Sequence, residues 1–248
     1  MTMVRMLMSF GKSMRIGSCK SCVEVLEEMR FEAPKKRTGA LTFEQASAII
    51  DFALAAGRRS LALGQALQFE LAMRQVDVIG KWETAKGDDS GGIVYRGSRW
   101  GGGLLWSDLT PAMTVSKITT KTAAEGEWDL NQLPLVVKVI ATYPAAEQVG
   151  PMVVSERTGL PYDLYDYSRD WRPFADKASV PRKVWNRDSR AGGITEGWDA
   201  GANVQDLQRL ATHSTQAMTE RYARGSMAST TRVAKLRVAS RKQVGNES

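Results

Sequence analysis

Histidine and cysteine are nearly missing from this chain. Its 248 residues hold one histidine, His213, and two cysteines, Cys19 and Cys22. A structural zinc site takes four ligands, so Cys19-x-x-Cys22 lacks the second pair it would need. A redox pair of that spacing belongs beside a βαβ pattern, and none surrounds it. The two thiols read as chance neighbours on a short helix. No run of about 18 apolar residues occurs, which excludes a membrane-spanning helix. The opening stretch MTMVRMLMSFGKSMRIG is interrupted by Arg5, Lys12 and Arg15, so it has no apolar signal core, and a cytoplasmic location is expected. Gly101-Gly102-Gly103 is not followed by Gly-Lys-Ser/Thr, and Gly11-Lys12-Ser13 has no upstream glycine, so a P-loop is excluded.

What is present describes an ordinary folded chain with a basic bias. Hydrophobic residues make up 43% and charged residues 25%, which is enough apolar surface for one substantial domain and a small appendage. Lys and Arg number 34 against 27 Asp and Glu, a net charge of +7 that favours a polyanionic partner. Met3, Met6, Leu7 and Phe10 recur at helical spacing, Gly17-Ser18 breaks the pattern, and Val23, Val25, Leu26 and Met29 resume it. Residues 33–40, APKKRTGA, read as a linker. Thr42 then suits a helix N-cap with Gln45 in capping-box position. A second, largely apolar helix is expected over 59–75, with Arg74 at its end. An arginine there needs a partner. It either pairs with Asp77 or holds a phosphate.

Residues 93–140 are rich in Val, Ile, Thr and Trp in short runs broken by Gly and Pro, as strands are. Val115 to Thr119 and the region of Trp128 predict a hairpin turning at AAEG (123–126), with Lys121 at the turn. Further helices are expected over 135–142, where Pro134 takes a permitted first-turn position, and over 165–178. The fold class is therefore α+β, mainly α, with a small antiparallel sheet.

The stretch 186–224 holds Arg187, Arg190, the one histidine and Tyr222. Together with Arg74 and Asp77, Leu105-Trp106-Ser107-Asp108-Leu109, Lys121-Thr122 and Thr158-Gly159-Leu160-Pro161, it resembles the tyrosine recombinases, the phage-integrase family. The resemblance covers about residues 38–226. Arg187-Asp188-Ser189-Arg190 stands where the family has His-x-x-Arg, so Arg187 replaces a histidine. Leu210-Ala211-Thr212-His213-Ser214 is one residue longer than the family's Leu-Gly-His-Ser. Tyr222 follows His213 at the spacing of the family's nucleophile.

The resemblance implies a helical DNA breaking-rejoining domain over 38–228, preceded by a remnant helix of an N-terminal DNA clamp and its linker (1–37) and followed by a basic tail (229–248). It also implies a site-specific recombinase or integrase of a phage or mobile element, associated with the nucleoid. In that picture Arg74 and Arg190 bind the scissile phosphate, since guanidinium forks match its oxygens. His213 hydrogen-bonds the phosphate, Lys121 is the general acid, and Tyr222 forms a 3′-phosphotyrosine. Arg187 cannot take up a proton as histidine would, so weakened cleavage is expected. The partners implied are double-stranded DNA and further copies of the chain on it, with no membrane, no metal and no small-molecule cofactor. A nicking-closing enzyme like type IB topoisomerases and a DNA-binding remnant that does not cut are the alternatives.

Overall fold

The computed structural model describes residues 2–30, 38–85 and 92–221. These fall into two compact units, divided between Thr38 and Gly39. Residues 31–37, Tyr222 and the basic tail lie outside the described residues.

The first unit is a pair of helices, α1 (Thr2–Ser13) and α2 (Gly17–Glu28). The break falls at Arg15, whose φ is +60°, so Gly17 and Ser18 open α2 instead of ending α1. Arg5 Nη2 donates to the carbonyls of Leu26 (2.8 Å) and Met29 (2.9 Å). It therefore supplies donors and positive charge where α2 leaves carbonyls unsatisfied. A Cβ on Gly11 would stand 2.4 Å from Cys19 Sγ, so the crossing needs glycine there. Within the unit Met3, Met6, Leu7 and Phe10 remain exposed and Val23 is buried.

The second unit is built round a helix that water does not reach. After α3 (Phe43–Ala55), which opens on the expected Thr42–Gln45 capping box, α4 (Arg59–Glu70) is buried from Ser60 to Phe69. A helix apolar on every side must be wrapped, and α4 packs against α3, α6 (Pro134–Ile140) and α8 (Ser189–Ala200). Its polar side chains serve as junctions. Gln65 Oε1 accepts from Trp171 Nε1 (2.7 Å) on α7 (Leu164–Lys177) and from Ser189 Oγ (3.2 Å). The Glu70 carboxylate accepts from the backbone N–H of Val136 (2.8 Å) in the first turn of α6. α4 thus holds α6, α7 and α8 by hydrogen bonds.

The expected helix 59–75 ends early. Ala72 adopts φ +49°, which α-helical geometry cannot accommodate, and the chain restarts as α5 (Gln75–Ile79) with Arg74 at its N-cap position. Strands also begin sooner than expected. β1 (Lys81–Thr84), β2 (Val94–Tyr95) and β3 (Ser98–Gly101) form an antiparallel sheet of order β1-β3-β2, with Lys81 opposite Gly101. β4 (Thr114–Ile118) and β5 (Glu125–Asp129) form a separate hairpin, Thr114 opposite Asp129 and Ile118 opposite Glu125. Its turn is 119–124, so Glu125 and Gly126 of the expected turn belong to β5. Between the sheets, Trp106–Asp108 is a 3₁₀ turn and not a strand, closed by Asp108 Oδ2 accepting from the Leu105 N–H at 2.8 Å. α9 (Val204–Leu210) and α10 (Gln216–Glu220) complete the described residues. No described helix is long and apolar enough to cross a membrane.

Candidate phosphate site

The site forms where three chain segments meet: 72–77 after α4, the first turn of α8, and 210–213 after α9. Glycine brings the first two together. A Cβ on Gly193 would lie 2.0 Å from the Phe69 carbonyl oxygen, and one on Gly192 would lie 2.4 Å from that of Leu41. Neither position has room for a side chain, so the start of α8 rests directly on backbone. Ile194 packs with Ala72 and Ala211 behind it.

Arg190 projects from that first turn and is 8% exposed. Its Nη1 donates to the Ala72 carbonyl at 2.6 Å, and its Nη2 donates to the Ala211 carbonyl. Carbonyl dipoles orient a guanidinium without cancelling its charge. The two turns that present these oxygens are strained: Ala72 and Thr212 both sit at φ +49°. Such left-handed geometry costs an L-residue on the order of 1 kcal/mol and persists only where surrounding structure enforces it.

Arg74 lies two residues beyond Ala72. Its Nη1 stands 3.6 Å from Asp77 Oδ2, with 15% of its side chain exposed and 1% of that of Asp77. That distance is an ion pair but too long for a hydrogen bond. Arg74 Nη1 and Asp77 Oδ2 are both buried without a hydrogen-bond partner. Asp77 uses its other oxygen, Oδ1, to accept from the Thr120 N–H (2.8 Å) and the Thr120 hydroxyl. The pairing expected between Arg74 and Asp77 is therefore loose: Oδ1 is held by the hairpin, and Oδ2 faces Arg74 at ion-pair distance only.

His213 is 6% exposed, and Gln208 holds its backbone at both ends: His213 N–H donates to the Gln208 carbonyl (3.0 Å) and Gln208 Nε2 donates to the His213 carbonyl (3.0 Å). Nδ1 lies 2.9 Å from Thr219 Oγ1. Burial, and after it the charges of Arg190, Arg74 and Arg221, hold its imidazole down to about 4. The ring is neutral at pH 7 in a field of three arginines.

Lys121 is exposed on the 119–124 turn. Thr120 ties that turn to Asp77, and at the other end of the hairpin Trp128 Nε1 donates to the Leu210 carbonyl at 3.2 Å. The hairpin thus bridges the Arg74 and His213 segments. Arg187 differs from its neighbour three residues on. It is exposed, with its guanidinium stacked 4.3 Å over the Trp185 ring. Tyr222 lies outside the described residues, one residue past Arg221.

The structure therefore brings Arg74, Arg190 and His213 into one electrostatic field and places the Lys121 turn against it through Thr120. Three groups at the site were not singled out from the sequence. Thr120 and Thr219 are small hydroxyls whose partners lie on other elements. Lys117 is half-buried on β4, donating from Nζ to the Gly103 carbonyl at 2.8 Å. Burial lowers its affinity for a proton, opposed by Asp108 and Asp77. Alternation along β4 from buried Val115 was the available signal for Lys117.

No protein-family model matches the sequence, and no curated protein does. Solved structures match in fold. A XerA recombinase superposes with a TM-score of 0.54 at 13% identity, over 89% of this chain and 73% of that one. A lambda integrase dimer bound to a COC′ core site gives 0.62 at 14%, over 88% of this chain and 57% of that one. The Tn1549 transposon integrase in complex with circular intermediate DNA gives 0.55 at 13%, over 96% and 85%. The fold is that of the tyrosine-recombinase catalytic domain, mainly helical with small antiparallel sheets.

Proposed function

We propose that this chain cuts and rejoins double-stranded DNA as a site-specific recombinase or integrase, through a 3′-phosphotyrosine on Tyr222. The observation that carries the reading is the buried Arg74 Nη1, which lacks an acceptor beside Arg190 and a neutral His213. A buried donor left unmade costs about 1–3 kcal/mol, and a bound phosphodiester oxygen would remove that cost. The fold supports the same reading, since the solved structures that share it include integrases bound to DNA.

In this reading Arg74 and Arg190 hold the scissile phosphate and neutralise the charge that grows on its non-bridging oxygens, while His213 donates a hydrogen bond. The phenolic oxygen of Tyr222 attacks phosphorus, the bond to the 5′ oxygen breaks, and the Lys121 ammonium protonates that leaving oxygen, which departs as a 5′-hydroxyl. The phenol's own proton passes to water, because Arg187 cannot accept it. Rejoining reverses the step with another strand's 5′-hydroxyl. The bond energy is kept in the phosphotyrosine, so neither ATP nor metal is required. Residues 38–228 form the catalytic domain in this proposal, 1–37 a remnant of a DNA clamp and 229–248 a basic tail. Several copies assemble on DNA in the cytoplasm, at the nucleoid.

Incubation with nicked duplexes that lose the 5′-hydroxyl fragment tests this. A denaturation-resistant protein–DNA adduct is expected, absent in Tyr222→Phe. No adduct in the parent across many target sequences would leave the second reading, a DNA-binding protein that does not cut, which the exposed arginine at 187 favours.

A further inference from the structure

The one histidine has a partner whose position does more than fill space. Thr219 is fully buried on α10, and its Oγ1 lies 2.9 Å from His213 Nδ1. The imidazole is already pinned through its backbone by Gln208, so a second anchor on the ring itself sets which nitrogen carries the proton. A neutral imidazole has one N–H and one lone pair, whereas a threonine hydroxyl can either donate or accept. A phosphodiester oxygen can only accept. If Nδ1 kept the proton and gave it to Thr219, the ring would turn a lone pair towards the anion and repel it. If the Thr219 hydroxyl donates to Nδ1, the proton sits on Nε2.

We propose that Thr219 is a positioning residue whose hydroxyl donates to Nδ1 and fixes His213 as the Nε2–H tautomer, so that the neutral ring presents its single proton to a DNA phosphate. This rests on the phosphate reading of the site. The charges of Arg190, Arg74 and Arg221 all disfavour a second proton on the ring. A neutral imidazole attracts an anion through its one N–H, so the orientation of that proton matters. Thr219 also lies three residues before Tyr222. The same hydroxyl therefore ties the phosphate-facing ring to the segment that leads into the nucleophile.

Because His213 is the only histidine, nitrogen-15 NMR of the full-length protein at pH 7 reads its tautomer without assignment. The expected spectrum of the parent shows protonated Nε2 and unprotonated Nδ1. Thr219→Val, close in shape, is expected to give a mixture of tautomers and to slow adduct formation about tenfold, the order expected for one hydrogen bond. Thr219→Ser is expected to restore both. A parent carrying its proton on Nδ1, or an unchanged tautomer in Thr219→Val, overturns the proposal. A merely structural threonine would lower stability in the valine variant without moving the tautomer. Absence of adduct in the parent refutes the cleavage chemistry instead, and the spectrum decides this proposal regardless.

Discussion

His213 makes stability depend on pH in a direction that can be stated in advance. Its pKa falls from about 6.5 in the unfolded chain to about 4 in the fold. Between those values the unfolded state binds a proton that the folded state refuses, so stability rises with pH through the window. Above about 6.5 both states are neutral at this residue and the contribution is flat. As pH falls from 6.5 towards 4, on the order of 3 kcal/mol is lost. Urea unfolding at pH 7 and pH 4.5 measures it. The drop should shrink in His213→Gln, which has no proton to gain, and an equal drop in both proteins would contradict the burial argument. Arg187 poses a different question at the same scale. Stacked on Trp185 and unable to accept a proton, it is expected to limit the attack step, so Arg187→His should form adduct faster on a nicked duplex. An unchanged or slower rate would show that the missing histidine is not what limits cleavage.

At the scale of elements, the helices were legible and their breaks were not. The capping box at Thr42 and the apolar run of α4 appear in the sequence because caps and burial follow from local residue type. The end of α4 does not. Ala72 is a good helix former, yet it takes φ +49°, and its carbonyl receives Arg190 from a helix more than a hundred residues later. Thr212 is bent likewise beside the second carbonyl that Arg190 uses. Arg190 and His213 stand out in the sequence by residue type, but the left-handed turns beside them at Ala72 and Thr212 do not. The turn of the Lys121 hairpin was misplaced for a similar reason. Thr120 is held by Asp77, which pulls the reversal forward to 119–124. The seating of α8 yields a prediction. Gly193→Ala puts a methyl 2.0 Å from the Phe69 oxygen, and the helix must lift. The cost of such overpacking is about 1–3 kcal/mol. Since α8 carries Arg190, adduct formation should fall with it. Thermal unfolding of the variant measures the first effect, and an unshifted midpoint would mean that α8 can move without loss.

For the whole molecule the sequence was most informative about charge and least about assembly. A net charge of +7 pointed to a polyanion, but basic proteins of many kinds share that value. What narrows it is that two guanidiniums, far apart in sequence, are buried at one point of the second unit instead of spread over its surface. Burial costs a charge its hydration, and a phosphate entering there would offset part of that cost. Duplex binding should register this through counterion release, with log affinity falling against log salt by about 0.9 for each phosphate neutralised. The variant Arg74→Ala/Arg190→Ala is therefore expected to bind more weakly and with a shallower slope, by about 0.9 in all if both arginines grip one phosphate. A titration between 50 and 200 mM salt, with folding checked by circular dichroism, distinguishes the cases. A reduction about twice as large would place the arginines on separate phosphates, and an unchanged slope would mean that DNA charge never reaches them.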